Sequence, residues 1–462
     1  MDKVLGKIRY NITHGVLGSR GIFIFVSFII IALIVDTSIV KISAFTGGLA
    51  SSGGSSIAIF TAMALIFSVG QYLILAYIKR RNHIGSPYST IWLSRLHKSV
   101  SIIQYVLIVV FGALITQMVL TSSYNVLFLE IVIWINYILA IVLLGFLSQR
   151  FISWFRSNHN AAVLAYAMAM MMICINAIFT LLYLTNQFTH SYSGPVVHPA
   201  LTPVANYSSV YDIYNAGYVT TSIILFILTW IATVLLLHSY SRRFGRVKYW
   251  ILVGIPLVYF LSQFQFVFVD VFTSFRISQP ILFGVVYTLF FDATIPVGGA
   301  LFGIAFWSIA RNIGNNAVKR YMMISAYGMM LLFASNQATG LALIPYPPFG
   351  LATVSFFGLS SFLIFIGIYS SAISVAEDSE LRKSIRRYAI EEESRLLDSI
   401  GMAQMEREIE KNVLAFTKRN QDRMVEETGI QSSLSEIDMK QYLEQVLQEV
   451  RKQKTHSTSG AS

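Results

Sequence analysis

Charge is scarce in most of this sequence. Charged residues make up 12% of the 462 positions, about half the share usual in soluble domains. Hydrophobic residues make up 55%. This composition excludes an ordinary soluble protein and predicts a polytopic membrane protein. Acidic residues are rarest before position 375, where the chain has only Asp2, Asp36, Glu130, Asp212, Asp270 and Asp292.

Cysteine and paired histidine motifs are also missing. The single cysteine, Cys174, lies inside an apolar run, so the sequence excludes an internal disulfide and a thiolate metal site. The eight histidines show no HxH or HxxxH spacing, and there is no GxSxG or phosphate-binding GxxxxGK motif. We therefore predict no metal, no cofactor, no catalytic residue and no enzymatic activity.

Ten apolar runs before position 375 are long enough to cross a bilayer, which takes about 20 residues of helix. Polar or basic segments separate these runs. We therefore predict an all-α fold, a polytopic bundle of about ten transmembrane helices over residues 21–374. The predicted spans lie near 21–40, 57–78, 100–120, 126–147, 161–184, 217–238, 249–269, 290–310, 322–344 and 350–374.

Lysine and arginine residues predict the orientation of this bundle. With the N-terminus inside, eighteen of those before position 375 lie on inner segments, and only Lys41 and Arg276 lie on outer ones. Because basic residues accumulate on cytoplasmic loops, we predict a multi-pass protein of the cell (plasma) membrane with both termini cytoplasmic. The net charge of +11 then reflects membrane topology, and we expect no nucleic-acid partner.

Two segments outside the predicted spans carry signals of their own. Residues 1–20 place apolar side chains at helical spacing and basic side chains elsewhere, which favours an amphipathic helix on the inner membrane surface. A cleaved signal peptide is the alternative interpretation. The outer loop 186–216 contains the sequon that begins at Asn206, a candidate glycosylation site.

Polar side chains interrupt the apolar sequence over residues 263–294 and again near position 336. Such groups are expensive in hydrocarbon and usually face a cavity or a neighbouring helix. They therefore form either a ligand pocket in the outer half of the membrane or structural hydrogen bonds between helices. The candidate ligand-binding residues are Gln263, Gln265, Asp270, Asp292, Asn336 and Gln337.

Proline and glycine predict an irregular span in the same region. Pro296 and the pair Gly298-Gly299 favour a kink, preceded by an interfacial or re-entrant piece near 274–289. Asp36 and Glu130 are expected near the outer ends of their spans, where water reaches them.

The composition changes abruptly after position 374. Residues 375–453 are charged and lack proline, and apolar residues recur at helical spacing to about 428. We predict a cytoplasmic helical tail that continues the last span, with a disordered end over 454–462. The tail is a candidate for binding a cytoplasmic protein or for self-association as a coiled coil. A basic cluster after the last span is a candidate site for lipid headgroups: Arg382, Lys383, Arg386 and Arg387.

Within this tail, the pieces Leu-Leu-Asp-Ser-Ile-Gly (396–401) and Ala-Gln-Met-Glu (403–406) lie in the segment 384–409. The segment resembles the tail of uncharacterised multispanning membrane proteins of ammonia-oxidising archaea. The resemblance covers the last span and the tail, with a similar hydropathy layout upstream. It implies a plasma-membrane location and transfers no site residues, because that family has no assigned activity.

Three functions are compatible with these features. A receptor or signalling-type protein would connect an outer polar pocket to the cytoplasmic tail. A secondary transporter or permease would use the polar groups and a broken span, although no internal repeat supports it. A scaffold or accessory subunit would use the tail to hold another protein.

Overall fold

The computed structural model describes most of the chain as helices. The described residues are 19–46, 53–82, 90–191, 196–197, 209–238, 245–262, 273–279, 282–283, 286, 294–313, 316–343, 345–377 and 395–428. The predicted N-terminal amphipathic helix and disordered C-terminal end lie outside these ranges. The α-helices are α1 Ser19–Thr46, α2 Gly53–Asn82, α3 Thr90–Thr121, α4 Val126–Asn158, α5 Ala161–Ser191, α6 Ser209–His238, α7 Arg246–Ser262, α8 Thr273–Ser278, α9 Thr294–Asn312, α10 Asn316–Ser335, α11 Leu351–Glu377 and α12 Arg395–Thr428.

Seven of these helices are long and apolar enough to cross a membrane, which confirms the membrane-type helical bundle. Helices α7, α9 and α10 occupy the positions of the other three predicted spans. They are helical over 17, 19 and 20 residues and are not among the helices that are both long and apolar enough to span a membrane. A total of about ten spans therefore stays a prediction. The seven candidate spans are Gly21–Val40, Ser55–Lys79, Leu93–Thr121, Val126–Asn158, Ala161–Thr189, Ile213–His238 and Leu351–Ala376.

Helix α11 lies at the centre of the bundle. The whole apolar window of its span is buried, and the helix packs against α1, α2, α3, α4 and α10. Small residues allow the closest of these contacts. A Cβ on Gly328 of α10 would lie 2.7 Å from the backbone nitrogen of Ile364, and one on Gly367 would lie 2.6 Å from that of Ser325. Helices α10 and α11 therefore touch backbone to backbone.

Helix α9 joins α10 in the same way. It is helical without interruption over Thr294–Asn312, through Gly298 and Gly299, and the predicted kink stays a prediction. Pro296 lies in the first turn, where a helix needs no N–H from that residue. The glycines are packing sites, because Cβ atoms on Gly299 and Gly303 would overlap Phe333 and Met330.

The periphery of the bundle is apolar on its outer side. Helices α2 and α3 expose many large hydrophobic side chains, with Val109 71% and Leu120 76% exposed. Exposure of so many apolar groups to water would be unfavourable, whereas lipid tails would solvate them. These surfaces therefore support a membrane-embedded bundle.

A small antiparallel ribbon adds a β element to the predicted all-α fold. Ser123–Tyr124 pairs with Val196–Val197, so that Tyr124 lies opposite Val196. The Tyr124 hydroxyl donates a hydrogen bond of 2.8 Å to the carbonyl oxygen of Pro345. The ribbon thereby fastens the connection that precedes α11.

The sequence predicted that the helical tail continues the last span, but α12 does not continue α11 as one straight helix. A straight helix would separate residues 375 and 401 by about 39 Å. Instead a Cβ on Gly401 would lie 2.7 Å from the Cβ of Val375. Helix α12 packs back against the ends of α4 and α11, because Leu396, Leu397 and Ile400 bury an apolar face there. We name this end of the bundle the tail end and the opposite end the far end.

Candidate functional site

The path between α10 and α11, residues 336–350, is irregular, and we name it the break segment. Helix α10 ends at Ser335, a short 3-10 helix spans Ala338–Leu343, and the Tyr346-Pro347 peptide bond is cis. Gly350 has a φ of +88°, which a residue with a side chain rarely adopts, and α11 begins directly after it. The break segment packs against α1, α5 and α11 at the far end of the bundle.

A chain of hydrogen bonds crosses four elements at the start of the break segment. The Tyr137 hydroxyl in α4 donates to Asn336 Oδ1 at 2.9 Å, and Asn336 Nδ2 donates to Asn176 Oδ1 in α5 at 3.1 Å. Asn176 Nδ2 in turn donates to Thr221 Oγ1 in α6 at 3.0 Å. We name these four residues the polar chain. Because a buried polar group needs a partner, the chain fixes α4, α5 and α6 to the break segment.

Two amide atoms beside the polar chain remain without a partner among the described residues. Asn136 Nδ2 donates to the Val132 carbonyl at 2.9 Å, but Asn136 Oδ1 accepts no hydrogen bond. Gln337 Nε2 is likewise buried without an acceptor. Leaving a buried amide group unpaired costs about 1–3 kcal/mol. These two atoms can therefore each form a further hydrogen bond at this site.

A buried carboxylate lies at the first turn of α11. Asp36 of α1 is 1% exposed, and its Oδ2 accepts hydrogen bonds from the Thr353 backbone N–H at 3.1 Å and from the Thr353 hydroxyl at 2.8 Å. The Gly350 backbone N–H also faces the Asp36 carboxylate. The expectation that water reaches Asp36 was wrong, because the N-terminus of α11 packs on it. Free N–H groups and the helix dipole favour a carboxylate there.

Asp36 and the polar chain meet the same face of α11. Asp36 contacts Thr353, and the ring of Tyr137 lies 4.6 Å from the ring of Phe357, one helical turn further on. We name Asp36, Thr353, the polar chain, Asn136 and Gln337 together the polar site. It is held by α1, α4, α5, α6, α11 and the break segment.

A second buried amide pair escaped the sequence analysis. Gln71 of α2 and Gln104 of α3 are 2% and 1% exposed. Gln71 Nε2 donates a hydrogen bond to the backbone carbonyl oxygen of Gln104 at 3.4 Å. The other three side-chain amide atoms have no partner within the described ranges. A glutamine near the middle of each of two consecutive apolar runs was the sequence signal that could have found this pair.

The tail end has polar contacts of its own. Trp154 Nε1 donates to Gln404 Oε1 at 3.3 Å, and Asn160 Nδ2 donates to Ser399 Oγ at 2.9 Å. The Ser157 hydroxyl donates to Glu406. Together with the buried Leu396, Leu397 and Ile400, these contacts dock the first turns of α12 on the bundle.

Most of the site residues predicted from the sequence cannot be compared with this geometry. Asn336 and Gln337 are described, and both lie in the polar site. The single cysteine, Cys174, is buried in α5. In the described part of the chain, no group of three or more His, Cys, Asp or Glu side chains is placed to hold a metal. The candidates that lie outside the described residues are Gln263, Gln265, Asp270, Asp292, Asn206, Arg382, Lys383, Arg386 and Arg387.

The fold and its buried polar groups define a helical-bundle protein with seven candidate membrane spans and a polar site inside the bundle. Comparisons with protein-family models, with curated proteins and with solved structures found no match. The function therefore has to be argued from the polar site and from the helices that hold it.

Proposed function

We propose that this protein is a multi-pass membrane receptor or signalling-type protein. In this proposal the chain crosses the plasma membrane about ten times, with the polar site in the outer half and α12 in the cytoplasm. A ligand at the polar site changes the position of α11, and α11 changes the docking of α12. The observation that carries the proposal is that α11 contacts the polar site at its first turns and α12 at its last.

The length and packing of α11 suit it to this role. Thr353 and Val375 are separated by about 33 Å of helix, roughly the thickness of the hydrocarbon core. The close contacts of α11 with α10 prevent it from bending independently of its neighbours. Packed interfaces of this kind switch between discrete arrangements, so a small shift at one end is felt at the other.

The unpaired atoms of the polar site indicate the class of ligand. Asn136 Oδ1 is an acceptor, and Gln337 Nε2 is a donor. A small polar molecule that donates one hydrogen bond and accepts another would satisfy both atoms. A purely apolar ligand would leave both atoms unpaired, at about 1–3 kcal/mol each.

Hydrogen–deuterium exchange of the purified full-length protein tests the coupling. Tyr137→Phe removes the hydroxyl that binds Asn336 and should raise the exchange of peptides from α12, residues 395–407. Tyr105→Phe is the matched control, since Tyr105 is 58% exposed on α3. If Tyr137→Phe raised the exchange near residues 336–343 but left the exchange of the α12 peptides equal to that of the wild type, the result would contradict the proposal.

A secondary transporter is the second candidate, because the break segment and the buried Asp36 favour it. Irregular backbone and a buried carboxylate at membrane depth are typical of ion-coupled transport sites. Flux into proteoliposomes, measured for small cations and polar amines, separates the two functions. Transport that Asp36→Asn abolishes would favour the transporter, and absence of flux for every solute would favour the receptor.

A further inference from the structure

Helix α12 carries an apolar stripe that the described part of the chain leaves exposed. Ile409, Val413 and Phe416 are 43%, 38% and 67% exposed. Their spacing of four and three residues places them on one side of the helix. Unlike the exposed side chains of α2 and α3, these three lie outside the seven candidate membrane spans.

The stripe points away from the bundle. Ile400 is 2% exposed in the face that packs on the bundle, and Ile409 follows it by nine residues. Nine residues make two and a half helical turns, so Ile409 lies on the opposite side of α12. The bundle that holds α12 therefore does not cover the stripe.

The charges that flank the stripe on its own side of the helix are divided between its two ends. Glu406, Glu408 and Glu410 lie at its beginning, and Arg419 and Arg423 lie just beyond its end, whereas Arg407, Lys411 and Lys418 lie on the opposite side of α12. A second α12 in antiparallel orientation brings the acidic end of each stripe against the basic end of the other. A parallel copy would place like charges together, which disfavours it.

We propose that two copies of this chain associate through α12, with the stripes of Ile409, Val413 and Phe416 packed antiparallel about a two-fold axis near Val413. Such an interface is isologous, because each copy contributes the same acidic end and the same basic end. The three glutamates at one end of the stripe disfavour an anionic lipid surface as its occupant. The inference does not depend on the proposed function, since it rests on α12 alone.

Cysteine cross-linking of the full-length protein tests both the contact and its direction. In a Cys174→Ala background, Val413→Cys should form an intermolecular disulfide, because the two copies of residue 413 lie close to the axis. Arg423→Cys should not, because ten residues from the axis the two copies are separated by about 30 Å along the helices. Cross-linking at both positions would indicate parallel pairing and overturn the proposal.

Charge exchange and the oligomeric mass complete the test. Phe416→Asp should weaken dimerisation about tenfold or more in mass photometry of the nanodisc-embedded protein. Glu410→Arg should also weaken it, and Arg419→Glu in the same chain should restore part of the loss, because the two exchanged residues again place opposite charges across the axis. Ala415→Asp, a charge added off the stripe, is the matched control.

Two outcomes would overturn the inference. One is a wild-type protein that remains monomeric at every concentration tested. The other is a Phe416→Trp variant whose fluorescence shifts to the blue when anionic liposomes are added to the monomer, since the stripe would then bind the bilayer surface.

Discussion

Asp36 and Thr353 are 317 positions apart in the sequence and make two hydrogen bonds to each other. The carboxylate oxygen Oδ2 accepts from the Thr353 hydroxyl at 2.8 Å and from its backbone N–H at 3.1 Å. The contact joins the first candidate span to the last one. It also places the buried acidic group at the start of α11, whose apolar window, alone among the seven candidate spans of the described residues, is buried throughout. Whatever changes Asp36 therefore acts directly on α11.

The first prediction concerns the stability contributed by this contact. Asp36→Ala leaves the Thr353 N–H buried without its Asp36 acceptor, whereas the hydroxyl can still donate to the Leu33 carbonyl oxygen at 3.2 Å. We therefore expect the free energy of unfolding to fall by about 1–3 kcal/mol. Asp36→Asn keeps one acceptor oxygen and should lose less. Unfolding by SDS in mixed micelles measures the difference. Equal stability of all three proteins would show that the contact does not form.

The second prediction concerns the polar chain as a unit. Tyr137→Phe and Asn176→Ala should each cost about 0.6–2 kcal/mol, the usual range for hydrogen bonds between membrane helices. Both act through Asn336, so the double variant should cost less than the sum of the two. A double-mutant cycle in the same SDS assay gives the coupling energy. Strict additivity would indicate that the chain is not connected.

The third prediction tests the close approach of α9 and α10. A Cβ on Gly303 would lie 2.8 Å from the Met330 backbone nitrogen and 2.9 Å from the Ala326 carbonyl oxygen. Backbone atoms cannot adopt another rotamer to relieve such a clash, so Gly303→Ala should destabilise the protein by about 1–3 kcal/mol.

Gly112→Ala is the matched control for this experiment. A Cβ on Gly112 of α3 has open space around it. The higher helix propensity of alanine should make this variant neutral or stabilise it by up to about 1 kcal/mol. Thermal unfolding in detergent orders the two variants, and a Gly303→Ala protein as stable as Gly112→Ala would contradict the packing.

The fourth prediction concerns the docking of α12. A Cβ on Gly401 would lie 2.1 Å from Val375 Cγ1, so a leucine at position 401 should push α12 off the bundle. Limited trypsin digestion should then cleave after Arg395 or Arg407 several times faster than in wild type. Ala415→Leu places the same side chain on an exposed part of α12 and should leave the rate unchanged. Similar rates for all three proteins would show that α12 is not docked.

The sequence predicts where the helices lie far better than how they pack. Apolar runs locate the seven candidate spans, and the composition change after position 374 locates the charged tail. Hydropathy cannot tell a core helix from a peripheral one, however, because lipid tails and a protein core both select apolar side chains. Ile29 is fully buried and Val109 is 71% exposed, yet both are ordinary span residues. The central position of α11 was therefore invisible in the sequence.

The same limit applies to the polar site. Asn336 and Gln337 could be singled out, because amides are rare in apolar runs. Asp36 looked like a span-end residue, since only the packing of α11 shows that it is covered. The return of α12 onto the bundle was also missed, because apolar spacing shows that a helix has a packing face and does not name its partner. The burial of Asp36 and the docking of α12 both depend on contacts between distant parts of the chain, which local sequence patterns do not show.

The most direct test of the coupling between the polar site and α12 is the reactivity of a thiol placed beneath α12. In a Cys174→Ala background, Ile400→Cys lies between α12 and the bundle and should react slowly with a maleimide. Combining it with Asp36→Asn should increase the rate at least several-fold, because α11 then loses part of its fixed contact with α1. Thr116→Val, which removes an exposed hydroxyl on α3, should not. An unchanged rate in Asp36→Asn, with the protein still folded, would contradict the account.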